Sequence, residues 1–172
     1  MIPSENPIAS QHRFPTWRTV RRGVYKTLGA YLAAMNAGGY KFTQYANQML
    51  SMVIWAREEG EEELVLVLDM NLGLTSSYVI EELFAAAARF DLYPLDADVA
   101  AGLRGQYDDQ PIDEWCLAAM DPIVGFDRDH RVFELGQNSD GHWLSVTFAN
   151  PKDLFHLGSV WIFSRRKPAS AT

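Results

Sequence analysis

Apolar residues in the first half of the chain recur at helical spacing. Val24, Leu28, Tyr31, Leu32 and Met35 fall at i, i+4, i+7, i+8 and i+11. That is one stripe of a helix over 24–37, which Gly38-Gly39 stops. Thr43 is placed to cap a second helix, 44–57, with Tyr45, Met49, Met52, Val53 and Ala56 turned inward. A third is expected over 78–90 behind the cap candidates Thr75, Ser76 and Ser77, with Ile80, Leu83, Phe84, Ala87 and Phe90 as its stripe. Asp96 is positioned to cap a short helical turn through Leu103.

Strand signals lie between and after these segments. Residues 16–22 (TWRTVRR) are rich in β-branched and aromatic side chains and end at Gly23. Residues 64–68 (LVLVL) are five apolar positions without alternation, as in a strand covered on both faces. Before them, 58–63 holds five acids around Gly60, which predicts a solvated turn guarding that strand from aggregation. After Pro111 the period becomes two. Strands are expected at 115–120, 131–135, 143–149 and 160–164, and Leu144, Val146 and Phe148 alternate with Trp143, Ser145 and Thr147. Asn138-Ser139-Asp140-Gly141 reads as a hairpin turn.

Helices first and strands last predict an α+β domain, with N-terminal helices packed on a mainly antiparallel C-terminal sheet. A chain of 172 residues suits one domain. The expected division is a flexible arm over 1–16 containing three prolines, a single domain over 17–166 and a polar tail over 167–172.

Composition narrows the chemistry. One cysteine, Cys116, excludes an internal disulfide and a four-cysteine zinc site. The first residues lack a basic stretch followed by an apolar one, and no apolar run approaches the roughly 20 residues of a membrane span. A cytoplasmic protein without membrane association is expected. There is no GxxxxGK[ST] loop, GxGxxG turn, GxSxG elbow or HExxH helix, so no cofactor is expected. His130, His142 and His156 lie near Asp127 and Asp129 in the strand region, at spacings that match no known ligand loop. No metal site follows from them. Cys116, between Trp115 and Leu117, reads as a buried inert thiol, and no catalytic residue is assigned.

Charge is distributed unevenly. The first 57 residues carry seven Arg/Lys and one acid, and the remaining 115 carry eight Arg/Lys and 21 acids. The chain thus divides into a segment of +6 and one of −13, for a net −7. Two readings stay open: a face for an anionic partner, or two halves that attract each other. On the first reading Arg13, Trp17, Arg18, Arg21, Arg22 and Lys26 form a partner-binding surface, with nucleic acid as one possible occupant. The segment 104–115 is the most polar constellation. Arg104 suits a carboxylate or phosphate, Gln106 and Gln110 suit directional hydrogen bonds, and Tyr107 and Trp115 suit stacking. Glu114, with Asp121, offers a pair of carboxylates. The structural alternative is that these groups satisfy one another inside the fold.

The pattern Leu103-Arg104, Gln106-Tyr107, Asp109-Gln110-Pro111, Glu114-Trp115 and Ala119-Met120-Asp121-Pro122-Ile123 resembles a family of small bacterial proteins, some phage-associated, with no assigned activity. Lys26-Thr27, Ala37-Gly38, Tyr45-Ala46, Leu50, Leu72-Gly73, Phe133, Gly141, Trp143-Leu144 and the ending Phe163 to Arg165 extend the resemblance over about 25–166. It implies a single domain of bacterial or phage origin and transfers no catalytic role.

The leading expectation is a non-enzymatic binding or regulatory protein that contacts a macromolecular partner, a protein before a nucleic acid, through its basic N-terminal face. The alternative is a small-molecule-binding enzyme with a pocket around Arg104, Gln106, Tyr107 and Glu114. A third reading is a homo-oligomer joined through complementary basic and acidic faces.

Overall fold

A computed structural model describes residues 13–55 and 57–168. The elements in chain order are β1 (Arg18–Arg22), α1 (Leu28–Ala37), β2 (Lys41–Phe42), α2 (Gln44–Leu50), β3 (Gly60–Leu68), α3 (Ile80–Ala88) and α4 (Ala97–Leu103). Then come β4 (Trp115–Ala118), β5 (Ile123–Val124), β6 (His130–Asn138), β7 (Gly141–Phe148) and β8 (Val160–Ser164). The class is α+β. No helix of the described residues is long and apolar enough to cross a membrane.

The helices are shorter than their apolar stripes. Thr27 accepts a hydrogen bond from the Ala30 amide at 3.1 Å, so α1 starts four residues past Val24, which is left exposed. Thr43 caps α2 as expected, its hydroxyl meeting the Ala46 amide at 3.4 Å. This helix ends at Leu50 rather than Arg57, where the Ser51 hydroxyl donates to the Gln48 carbonyl. Tyr45 points outward, and its ring covers the Arg131 guanidinium at 4.2 Å. Thr75, Ser76 and Ser77 do not cap α3. Its start gains from Glu81 and Glu82 in the first turn, which complement the helix dipole. Asp96 precedes α4 without a side-chain capping bond.

Only part of the acidic run stays outside the sheet: Glu58 and Glu59 are exposed ahead of the strand, while residues 60–63 are strand. β3 begins at Gly60 because β1 pairs with it antiparallel, setting Arg22 opposite Gly60, Arg21 opposite Glu61 and Thr19 opposite Glu63. Glu62 is buried and accepts from the Ser164 hydroxyl at 2.6 Å. The two-residue strands β2 and β5 are too short to leave a periodic signal.

The strands form one sheet in the order β1-β3-β8-β4-β6-β7-β2, with β5 added beside β6. Pairing is parallel for β2 with β7 and β4 with β8, and antiparallel elsewhere. The expected C-terminal sheet therefore recruits β1, β2 and β3 from the first 68 residues. The β6–β7 turn matches its signal: Asn138 pairs with Gly141, which takes φ 129°, and the Asn138 side chain accepts from Asp140 N. Asp69, wholly buried at the end of β3, accepts bonds from Met70 N, Gly158 N, Ser159 N and the Tyr78 hydroxyl at 2.7–3.1 Å. It thereby ties β3 to the loop entering β8.

Part of the expected arm is docked. Phe14 is buried edge-on against Phe90, and Arg165 donates to the Phe14 carbonyl and to Thr16 Oγ1. Burial of that apolar ring fixes residues 13–16. Residues 1–12 of the arm and 169–172 of the tail lie outside the described residues.

Opposed residues in a register share a sheet face. One face presents Leu64, Ile162, Ala118, Phe133, Leu135 and Leu144, all fully buried. The other has Val65, Val67, Trp161, Phe163 and Val132 buried, but becomes open across β4, β6, β7 and β2.

Candidate functional site

The polar segment after α4 folds into a closed knot. Arg104 is wholly buried. Its Nη1 donates to Gln110 Oε1 at 2.7 Å and to the Trp143 and Gly136 carbonyls at 3.1 and 3.2 Å, and its Nη2 donates to the Tyr107 carbonyl at 2.7 Å. Gln110 Nε2 donates to the Leu135 and Glu114 carbonyls. The Tyr107 hydroxyl and the Cys116 thiol both donate to the Glu114 carboxylate, at 2.7 and 3.3 Å. Burial and that carboxylate push both the phenol and the thiol up, so neither is activated. Gln106 behaves differently: its amide accepts from Arg21 N at 2.9 Å and donates to Arg21 O at 3.0 Å. A side chain thus occupies the free edge of β1 as a neighbouring strand would. Asp121 is exposed, and Trp115 lies away from the knot on the open face. The segment joins α4 to the sheet, and the Arg104 guanidinium, open to a ligand on one reading and to internal bonding on the other, is buried and bonded internally.

The N-terminal cations are also largely engaged. Arg18 pairs with Asp109 at 2.7 Å, donates to the Gln106 carbonyl and lies over the rings of Trp17 and Tyr107. Arg22 donates to the Glu58 carbonyl at 2.7 Å, and Lys26 reaches the Gly23 carbonyl and Glu59 at 2.9 and 3.2 Å. Arg13 covers the Phe90 ring. The exposed Arg21 side chain bonds to none of the described residues. Most of the basic segment is thus held by the acidic half, the second of the two readings of the charge division.

The open part of the sheet holds a different arrangement. One row across the strands is Trp115, Gly136, Trp143 and Lys41, and the next is Leu117, Glu134 and Ser145. With strands roughly 4.8 Å apart, the two tryptophans rise about 10 Å from each other on either side of Gly136. That glycine is required, since a Cβ there would stand 2.1 Å from the Trp115 ring folded over it. Lys41 Nζ lies 5.6 Å from the Trp143 ring, and Trp143 Nε1 donates to Asn138 at 3.0 Å.

Glu134 is the unusual member. Its carboxyl receives no hydrogen bond from any described residue, and burial alone pushes it up to about 7. A carboxyl without a hydrogen-bond partner, one row along the sheet from the two indoles and poised near neutrality, is chemically available. It can take a proton, or as an anion it can accept a cation or a hydrogen-bond donor. Toward the far end of β7 the same face runs through Thr147 into a depression of about 510 Å³ lined also by Asp129, Phe148, Asn150, Asp153, Leu154 and Phe155.

The histidines are spread out. His142 meets the Asp108 carbonyl, His156 meets Ser77, and His130 lies in β6. Among the described residues no group of three or more His, Cys, Asp or Glu side chains could hold a metal ion.

No protein-family model matches the chain, and neither a curated protein nor a solved structure is significantly similar to it. Function has to be argued from the site.

Sequence reasoning passed over Glu134, Trp143 and Ser145 as site residues. A signal was present: Glu134 is a lone acid in the otherwise apolar run Val132-Phe133-Glu134-Leu135. An acid at the centre of a strand asks for a partner or a purpose.

Proposed function

We propose that this is a binding protein that engages a protein partner through the open part of the sheet face formed by β4, β6, β7 and β2. On this reading the helices cover the fully buried face, and the opposite face is kept clear for recognition. The observation that carries it is Glu134, a partly buried carboxyl without a partner, set beside Trp115 and Trp143 on a rigid sheet. A partly desolvated anion with aromatic rings in the neighbouring row suits a Lys or Arg side chain, which gains both the charge and a ring face. The occupant is therefore an extended segment carrying a basic residue between apolar ones. Most of the basic N-terminal residues are left in a structural role: Arg18, Arg22 and Lys26 each donate to groups of the chain, and Arg21 alone is exposed without a side-chain bond to a described residue.

Selection of a displayed random peptide library on the immobilised protein tests this. Enriched peptides should contain Lys or Arg next to apolar residues. They should bind at least about tenfold more weakly to Glu134→Gln and to Ser145→Lys, because a charge-assisted contact is removed or a like charge is placed beside it. Affinity should rise between pH 6 and pH 8 as the carboxyl near 7 ionises. Peptides that ignore both changes but are lost on Arg21→Glu would return recognition to the N-terminal strand.

A further inference from the structure

The turn between β5 and β6 displays the most exposed large apolar side chain of the described residues, Phe126, at 82% of its full accessibility. The turn is tightly held. Gly125 N donates to the Asp129 carbonyl at 2.8 Å, Arg128 N donates to the Gly125 carbonyl at 3.0 Å, and Asp129 N donates to Asp127 Oδ1 at 3.2 Å. Arg131 then clamps Asp127 with two bonds of 3.0 and 2.6 Å, its buried guanidinium packed between the rings of Tyr45 and Phe148. A large apolar side chain on a loop fixed in this way loses little freedom on docking.

Beside this knob lies the depression of about 510 Å³, with Phe148 and Leu154 exposed on it and Phe155 buried in its lining. Asp129 and Asp153 also line it, both hydrogen-bonded to the Asn150 amide. Knob and hollow are adjacent, since Asp129 belongs to the turn and lines the hollow. Their charges are complementary too. Arg128 on the turn is exposed, takes φ 69° and bonds through its side chain to none of the described residues; in the hollow Asp153 pairs with no cation of the described residues, whereas Asp129 already pairs with Arg131 at 3.7 Å. Lys152, also exposed, precedes Asp153 in the chain.

From this we infer that the surface is a self-complementary dimer contact, in which Phe126 and Arg128 of each copy enter the hollow of the other. A second copy is the occupant favoured because one two-fold rotation seats both knobs at once and sets each Arg128 against the partner's hollow. A foreign partner would satisfy the knob or the hollow, but needs a matched pair of features to satisfy both. The contact adjoins the recognition face proposed above at Thr147 of β7, but uses neither Glu134 nor the two tryptophans.

Sedimentation velocity on the full chain from 1 to 500 µM tests it. The expected result is a dimer, twice 19.4 kDa, at micromolar concentration. Phe126→Ser should weaken association by roughly 100- to 1000-fold, because an anchor is lost twice per dimer. At dilutions where both are monomeric its thermal unfolding should match the wild type, since the side chain is solvent-exposed in one copy. Arg128→Glu should weaken the dimer at low salt, with the difference narrowing as salt rises. A monomer throughout the range, or a dimer indifferent to Phe126→Ser, would overturn the proposal. A dimer unaffected by Arg128→Glu would remove the charge pairing on which the choice of a second copy rests.

Discussion

Strand β6 meets polar chemistry on both of its faces, with opposite outcomes. On one side the Arg104 guanidinium reaches the Gly136 carbonyl and, with Gln110, Tyr107 and Trp143, closes a buried network. On the other, Glu134 stands among apolar and aromatic neighbours with no bond from a described residue. The first region has the richer list of functional residue types. It is nevertheless the one whose polar groups mostly bond to one another, with Arg104 Nε the exception, and a largely satisfied network contributes rigidity rather than recognition. The second offers little in a list of residue types, yet its carboxyl is left for something else to meet. Satisfaction of polar groups, more than their density along the chain, separates scaffold from candidate site.

The sharpest way to break this comparison is Arg104→Ala. It leaves buried carbonyls without donors and opens a cavity, so unfolding in urea should show a loss of about 4 kcal/mol. A loss below about 1 kcal/mol would mean that the knot is not structural, and would reopen it as a ligand site.

Glu134→Gln should act in the opposite direction. The Glu134 carboxyl is raised from 4.5 to about 7 by folding, so its neutral form is the one the fold favours. That contribution is complete below about pH 4.5 and is lost as pH rises through 7. The Gln variant should be more stable than the wild type by about 2 kcal/mol at pH 8 and equal to it at pH 4, as read by urea midpoints. Equal stability at both values would place Glu134 in a solvated setting and remove its claim to be special. Glu62 and Asp98 are also raised by burial, so they too favour mildly acidic conditions.

The smallest effect belongs to Arg21→Glu. It sets a like charge opposite Glu61 on an exposed strand pair, which should cost about 0.5 kcal/mol at low salt and less at high salt. A drop of several kcal/mol in a thermal or urea melt would show that the exposed guanidinium belongs to the internal charge pairing after all.

Local signals were legible where a single residue type decides a conformation. Thr43 as a cap, the strand 160–164 and the Asn138–Gly141 turn follow from hydroxyl capping, apolar strand content and a tight turn ending in glycine. Signals that depend on a distant partner misled. The acids of 61–63 read as part of a turn because their partner strand is some 40 residues away, and β1 makes them a strand. Tyr45 fits the apolar stripe of its helix, yet its ring is drawn out to Arg131, a cation of β6. At the site, Arg104, Gln106, Tyr107, Gln110, Glu114 and Trp115 were found as a group but not as a network, because hydrogen-bond satisfaction is a property of three-dimensional neighbours.

By itself the sequence determined an α+β chain with one thiol, an uneven distribution of charge and a polar segment ahead of its last strands. These depend on composition and on spacing within a few residues. Only the tertiary structure decided that much of the basic segment meets acids and carbonyls of the later chain, that Arg104 is sealed, and that Glu134 stands without a hydrogen-bond partner one row along the sheet from two tryptophans. Each depends on which strands become neighbours, and strand order is set by burial and pairing summed over the whole chain.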